Sequence, residues 1–310
     1  MSHPSLLPAL RNLFGSRLQE NVTLANYTTA RVGGSADALM VVYSTAELAE
    51  VAGRMWTEKL PFHILGSGSN VLISDAGVRG LVILNHAHGV RVEAAGDPPT
   101  VWAESGANFS AVARQVALRG LSGLEWAAAI PGTVGGAVYG NAGAFGSNIQ
   151  HDLVLAEILH REQGRQTWTV DQFEYDYRSS ILKREPGQAV ILAARFRLSP
   201  SSAETVQTQI KTLTERRRQT QPPGASLGSM FKNPPGDYAG RLIEAAGLKG
   251  TRMGGVEVST VHANFFINYS GATATDIRQL LHHVQQTVLK QSGILLEPEI
   301  EFLGEWEKLN

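Results

Sequence analysis

Two domains of mixed helix and strand, the second of them α+β, are what the sequence predicts, and three patterns carry that expectation. An apolar run at 39–43, a helical period through Leu48, Val51, Ala52 and Met55, and a second apolar run at 62–65 make a strand–helix–strand unit. The stretch VILAARFRL at 190–198 alternates and closes the first domain as a strand with one wet face. Beyond SPSS at 199–202, a linker by composition, Val206, Ile210 and Leu213 mark a helix that ends in a solvated triple arginine, 216–218. Helices at 238–246 and 275–289 then flank strands near Val256 and Phe265, a second domain of about ninety residues, an ordinary size.

Composition narrows the classes of function. The 310 residues are 43% hydrophobic and 18% charged, enough for two real cores. A net charge of −1 gives no broad footprint for nucleic acid or anionic membrane, so neither is expected as a partner. Zero cysteines exclude a disulfide scaffold, a thiolate metal site and a cysteine nucleophile. The start, MSHPSLLPALRNLFGS, has no basic leader and two prolines, and reads as a short amphipathic arm. With no window resembling a membrane span, a cytoplasmic protein is expected.

Taken in order, the first polar feature is Arg31 beside Gly33 and Gly34, either a ligand contact or a hairpin. STAE at 44–47 has capping-box spacing before the first helix. GSGSN at 66–70 follows a strand, as a phosphate loop would, yet Val71, Leu72 and Ile73 continue as strand, so it is neither a Walker loop nor the usual dinucleotide fingerprint. Further strands are expected at 80–84 and 100–103. A helix at 109–118, with Phe109, Val112, Ala113 and Val116 on one face, stops at Gly120.

The most informative stretch is 120–148, GLSGLEWAAAIPGTVGGAVYGNAGAFGSN, where Glu125 carries the only charge. Its glycines let another molecule approach main-chain N–H groups with no Cβ in the way. Pro131, Gly132 and Thr133 open a short helix over 134–138, whose free N–H groups would face an anion without a lysine. The alternative is a tightly packed Gly/Ala core turn.

Four polar clusters could do chemistry. YDYRSS at 175–180 sets Arg178, a planar cationic fork suited to a carboxylate or enolate, beside Tyr177, on which it could instead simply stack. GASLGSMFKNP at 224–234 follows Pro222 and Pro223 near the expected domain junction. In EPEIEF at 297–302 a period of two puts Glu297, Glu299 and Glu301 on one face and Ile300 and Phe302 on the other, with Pro298 marking an edge. HANFF at 262–266 offers His262 and Asn264. No HExxH or GxSxG is present, so neither a metal nor a serine hydrolase is assigned.

Together GSGSN at 66–70, IPGTVGGAVYGNAGAFG at 130–146, YDYRSS at 175–180, GSMFKNP at 228–234, HANFFIN at 262–268 and LEPEIEFLG at 296–304 closely resemble the UDP-N-acetylenolpyruvoylglucosamine reductase family, in its order and from about residue 20 to the end. The resemblance implies an α+β fold. It consists of an FAD-binding domain of the vanillyl-alcohol-oxidase (PCMH-type) kind over 1–200, with subdomains of about 1–75 and 76–200, a smaller α+β substrate domain over 201–294, and a C-terminal strand within 295–310 that returns to the FAD domain. It implies FAD as cofactor, NADPH as electron donor and UDP-N-acetylglucosamine enolpyruvate as substrate, reduced to UDP-N-acetylmuramate by a monomer. By residue, it implies that Arg178 and Glu299 stabilise an enol form and that Ser229 gives the proton. Glu299 would need a raised pKa for that role. Cofactor contacts are implied for Arg31, Gly66, Ser67, Gly68, Ser69, Asn70, Pro131, Gly132, Thr133, Gly135, Gly136, Asn141 and Gly143, and substrate contacts for Tyr177, Lys232, Asn233, His262 and Asn264. The chain resembles the shorter members, which lack an extra lid segment. The alternatives are a same-fold FAD oxidase or dehydrogenase and a nucleotide-binding protein with no chemistry.

Overall fold

A computed structural model describes residues 6–307 of the chain. It divides into two compact units that interleave in sequence: one gathers the described residues up to Met40 with Ser67–Val82 and those from Arg218 onward, the other Val41–Gly66 with Ile83–Arg217. The last change of unit along the chain falls inside the helix Ala203–Thr220.

In the first unit, Gln19–Thr23 pairs antiparallel with the start of Ser35–Val42, Gln19 opposite Leu39 and Thr23 opposite Ser35. Val71–Ile73 pairs in parallel with Glu301–Leu303, joining positions more than two hundred residues apart. A three-stranded antiparallel sheet of Arg252–Met253, Val256–Val258 and Phe266–Asn268 is covered by the helix Ala274–Ser292, and the shorter helix Ala239–Ala245 packs on that helix. The long helix begins with a capping box at Thr273 and Asp276 and stops at Gly293, which takes the left-handed conformation at φ 72°. Asp75 adds a second cap from far upstream, accepting from the N–H groups of Ala274 and Thr275, both at 2.8 Å. Leu72, Met230, Phe231, Ile243, Val256, Phe266, Leu280 and Val284 lie in one core.

The second unit is built on a five-stranded antiparallel sheet of order Gly164–Thr169, Leu153–His160, Ala189–Arg197, Thr100–Glu104 and Val90–Glu93. Ala189–Arg197 is its central strand. The helices Thr45–Thr57 and Val134–Tyr139 pack on it, so it is buried almost throughout and does not have the wet face its alternation suggested. Ser44 caps the first helix by accepting from the Glu47 N–H at 3.2 Å, and the Glu47 carboxylate reaches back to the Tyr43 N–H at 2.7 Å. Phe109, which opens the helix Phe109–Ala117, sits 5.6 Å from Trp126 and 5.2 Å from Phe196 in the centre of this core.

Three other local readings are corrected. Ser199–Pro200 pairs with Leu121–Ser122, and the Ser202 hydroxyl accepts from the Thr205 N–H at 3.0 Å, so the polar run is an ordered edge and cap rather than a loose linker. Arg217 is half-buried and its pKa is lowered by that burial, so the triple arginine is not a uniformly solvated end. The C-terminal strand begins only at Glu301, with Ile300 buried and Phe302 40% exposed, since the residues just before it pair with 230–232 instead. The hairpin of Leu153–His160 and Gly164–Thr169 had no counterpart among the sequence-based expectations.

Candidate functional site

In the second unit the glycine-rich stretch folds as a helix, Val134–Tyr139, capped by Thr133, whose hydroxyl accepts from the Gly136 N–H at 3.3 Å. The expected row of free N–H groups is not there. Val134 N–H donates to the Ala107 carbonyl at 2.9 Å, Gly135 N–H to the Ser105 carbonyl at 2.7 Å, and Ala137 N–H to the Thr133 carbonyl at 2.9 Å. Partners about thirty residues upstream consume the first donors, which local sequence could not reveal. The glycines do allow close approach. A Cβ on Gly135 would lie 2.9 Å from the Ser105 Cβ, and one on Gly66 would lie 2.6 Å from the Thr133 Oγ1. Gly66 and Thr133, 67 positions apart in the chain, are therefore packed against each other.

The segment around Arg178 is stitched onto this stretch. Tyr175 donates its hydroxyl to the Val138 carbonyl at 2.8 Å, and burial pushes that hydroxyl well above the ordinary phenol range. Ser180 donates to the Tyr139 carbonyl at 2.6 Å, Asn141 Nδ2 to the Asp176 carbonyl at 3.0 Å, and Arg178 Nη2 to the Gly143 carbonyl at 2.8 Å. Asp176 and Ser179 exchange both backbone hydrogen bonds at 3.1 Å, closing a tight turn in which Arg178 takes φ 56°. A left-handed arginine is a costly conformation that its surroundings must enforce. Its guanidinium also lies 5.6 Å from the Tyr177 ring, while Tyr177 itself is exposed. Sequence reading missed Tyr175 and Ser180 as anchors, since a hydroxyl gives no sign of which carbonyl it will find.

In the first unit, the turn at 67–70 is set by Gly68, at φ 59° and buried, where a Cβ would fall 2.1 Å from the Tyr27 carbonyl oxygen. Thr29 N–H donates to the Gly68 carbonyl at 3.1 Å, and Arg31, exposed at φ 57°, follows two residues later. Asn70 Nδ2 donates to the Glu299 carbonyl at 3.2 Å, and the Glu301 N–H returns to the Asn70 carbonyl at 2.8 Å.

Ser229 and Glu299, seventy positions apart, are placed by one residue between them in space, Met230. Ser229 bridges Phe265; Met230 donates to the Asn264 carbonyl at 2.8 Å and accepts from the Glu299 N–H at 2.9 Å. Residues 229–232 and 297–299 thus lie side by side, and the turn at 262–265 pairs with the first of them. Asn264 is buried and its amide pairs with both backbone groups of Phe231. His262 accepts the Asn264 N–H on Nδ1 at 3.2 Å and stacks edge-on against Phe265, and burial lowers its pKa. Lys232 forms an ion pair with Glu297, and the Asn233 Oδ1 accepts from the Ala239 N–H at 3.0 Å at the start of a helix. Asn264 is thus committed within the chain through both ends of its amide, and Asn233 through its Oδ1.

Residues 66–70 and 130–146 carry no charged side chain, so a flavin dinucleotide lodged there would meet main chain and hydroxyls rather than a lysine. Among the described residues no group of acidic or histidine side chains could hold a metal, and no helix is long and apolar enough to cross a membrane.

Comparison with known proteins agrees. Residues 36–169 match the family profile described as an FAD binding domain, and residues 219–303 match the C-terminal domain of UDP-N-acetylenolpyruvoylglucosamine reductase. The chain is 44% identical to the reductase of that name from Rubrobacter xylanophilus over 91% of its own length and 94% of that protein's. It is 38% identical to the Staphylococcus aureus (strain MRSA252) reductase over 99% of both. The crystal structure of UDP-N-acetylenolpyruvylglucosamine reductase (MurB) from Thermus caldophilus superposes with a TM-score of 0.79 at 33% identity, covering 93% of this chain and 99% of that one. With an FAD-binding domain, a matching C-terminal domain and relatives similar along nearly the whole length, the chain belongs to the UDP-N-acetylenolpyruvoylglucosamine reductase family.

Proposed function

We propose that the protein reduces the enolpyruvyl ether of UDP-N-acetylglucosamine enolpyruvate to the lactyl ether of UDP-N-acetylmuramate, with FAD as resident cofactor and NADPH as electron donor. The observation that carries this reading is the backbone hydrogen bond from Glu299 to Met230, the residue next to Ser229, within a family whose members bear the reductase name. Bound flavin supplies the hydride for the β-carbon of the enol ether. The chain's own residues handle the charge that results. Arg178, held in its turn, balances the enolic carboxylate; Glu299 hydrogen-bonds the enol form; and Ser229 protonates the α-carbon, which a hydroxyl can do when the acceptor is a strongly basic carbanion at hydrogen-bond distance. FAD would be held by Arg31, Gly66, Ser67, Gly68, Ser69, Asn70, Pro131, Gly132 and Thr133, with Gly135, Gly136 and Gly143 keeping the backbone approachable. Residues 201–294 form the substrate-binding part, with Tyr177, Lys232, His262 and the Asn233 and Asn264 loops shaping the approach of the nucleotide. The protein works as a cytoplasmic monomer.

Anaerobic absorbance tests the whole reading. NADPH should bleach the flavin band of the purified protein, and the enolpyruvyl substrate should restore it. Bleaching without restoration on substrate would keep the flavin domain and overturn the substrate assignment.

A further inference from the structure

Asn141 stands out among the residues of the glycine-rich stretch. It is 4% exposed, it takes the left-handed conformation at φ 47°, and its amide is used at both ends. Nδ2 donates to the Asp176 carbonyl at 3.0 Å, and Oδ1 accepts from the Gln150 N–H at 3.1 Å. Each requirement selects asparagine. Glycine would meet the backbone demand but carries no amide, and aspartate would set a carboxylate against the Asp176 carbonyl.

Asp176 is the residue that closes the turn around Arg178, and Gln150 lies just beyond the hairpin of Gly143–Ala144 and Ser147–Asn148. The carbonyl of Gly143 in that hairpin receives the Arg178 guanidinium. Asn141 therefore touches both supports of the arginine: the turn that fixes its backbone and the hairpin that receives its side chain. We infer that Asn141 is a positioning residue for Arg178, acting through Asp176 and Gln150, and not a contact to the cofactor. This rests on the proposed reduction, in which Arg178 acts only after the flavin has been reduced.

The test compares the two half-reactions in Asn141→Gly, which keeps the left-handed backbone, and Asn141→Asp, which keeps the acceptor for Gln150 but loses the donor to Asp176. Restoration of the flavin band by the enolpyruvyl substrate should slow by about tenfold to a hundredfold in both, the scale expected when a reacting group is misplaced by about an ångström. Flavin content and the rate of bleaching by NADPH should stay near those of the wild type in both variants, while the melting temperature of Asn141→Gly falls because two backbone groups lose their partner. A merely structural residue would lower both half-reactions together with stability, which overturns the assignment. Loss of bound flavin with intact folding would make Asn141 a cofactor contact, and an unchanged second half-reaction would remove it from the site. The wild-type protein run alongside separates this from the parent reading, since failure of the substrate to restore its band would sink the reduction itself.

Discussion

The side-chain amide of Asn264 forms a closed pair with the backbone of Phe231, Oδ1 accepting from the N–H at 2.9 Å and Nδ2 donating to the carbonyl at 2.8 Å. It does for one residue what a neighbouring strand would do, and it fixes the segment that carries Ser229 two residues earlier. Asn264→Ala leaves both backbone groups of a buried phenylalanine unpaired. A loss of about 2 to 4 kcal/mol of stability is expected from denaturant titration, the cost of two unsatisfied buried groups. An unchanged midpoint would mean that the clamp is dispensable.

Arg178→Lys keeps the charge but gives up the planar fork that reaches the Gly143 carbonyl. Reduction by NADPH should proceed at close to the wild-type rate, while turnover of the enolpyruvyl substrate drops by about a hundredfold or more, the scale of losing one preorganised charge-stabilising group. Ser229→Ala should show the same division between half-reactions. Single-turnover absorbance traces read both, and an equal loss in each step would assign these residues to flavin binding instead.

Two glycine substitutions separate folding from cofactor binding. Gly68→Ala asks a Cβ to sit at φ 59° and 2.1 Å from the Tyr27 carbonyl oxygen, so misfolding or a large fall in melting temperature is expected. Gly66→Ala first meets the Thr133 side chain, at 2.6 Å from Oγ1, and is expected to fold with reduced flavin content, measured by the ratio of flavin to protein absorbance. Full flavin occupancy in Gly66→Ala would argue against that loop as part of the cradle.

The pH dependence of stability should carry the mark of His262. Burial holds its pKa below that of the unfolded chain, so the unfolded state binds a proton first as pH falls. Its contribution is present above the ordinary histidine range and is lost as pH drops through the lowered folded value. His262→Gln, which cannot titrate, should flatten the acid side of the stability curve measured by thermal melts across that window. An acid limb identical to that of the wild type would exclude His262 as a contributor.

Sequence by itself determined the elements whose signals are local. The Ser44 cap, the helix stop at Gly120, the strand at Val71 that rules out a dinucleotide fingerprint and the six motifs in family order all depend on residues a few positions apart or on fixed residue identity. Tertiary structure alone decided which groups those elements spend on one another. The N–H groups of Val134 and Gly135 were readable as an anion site until Ala107 and Ser105 took them, and Ala189–Arg197 was readable as half-wet until packing buried nearly all of it. Likewise Ser229, Asn264 and Glu299 gave no sign of sharing Met230 and its neighbours, because backbone pairing between distant segments follows from packing that has no period in the chain.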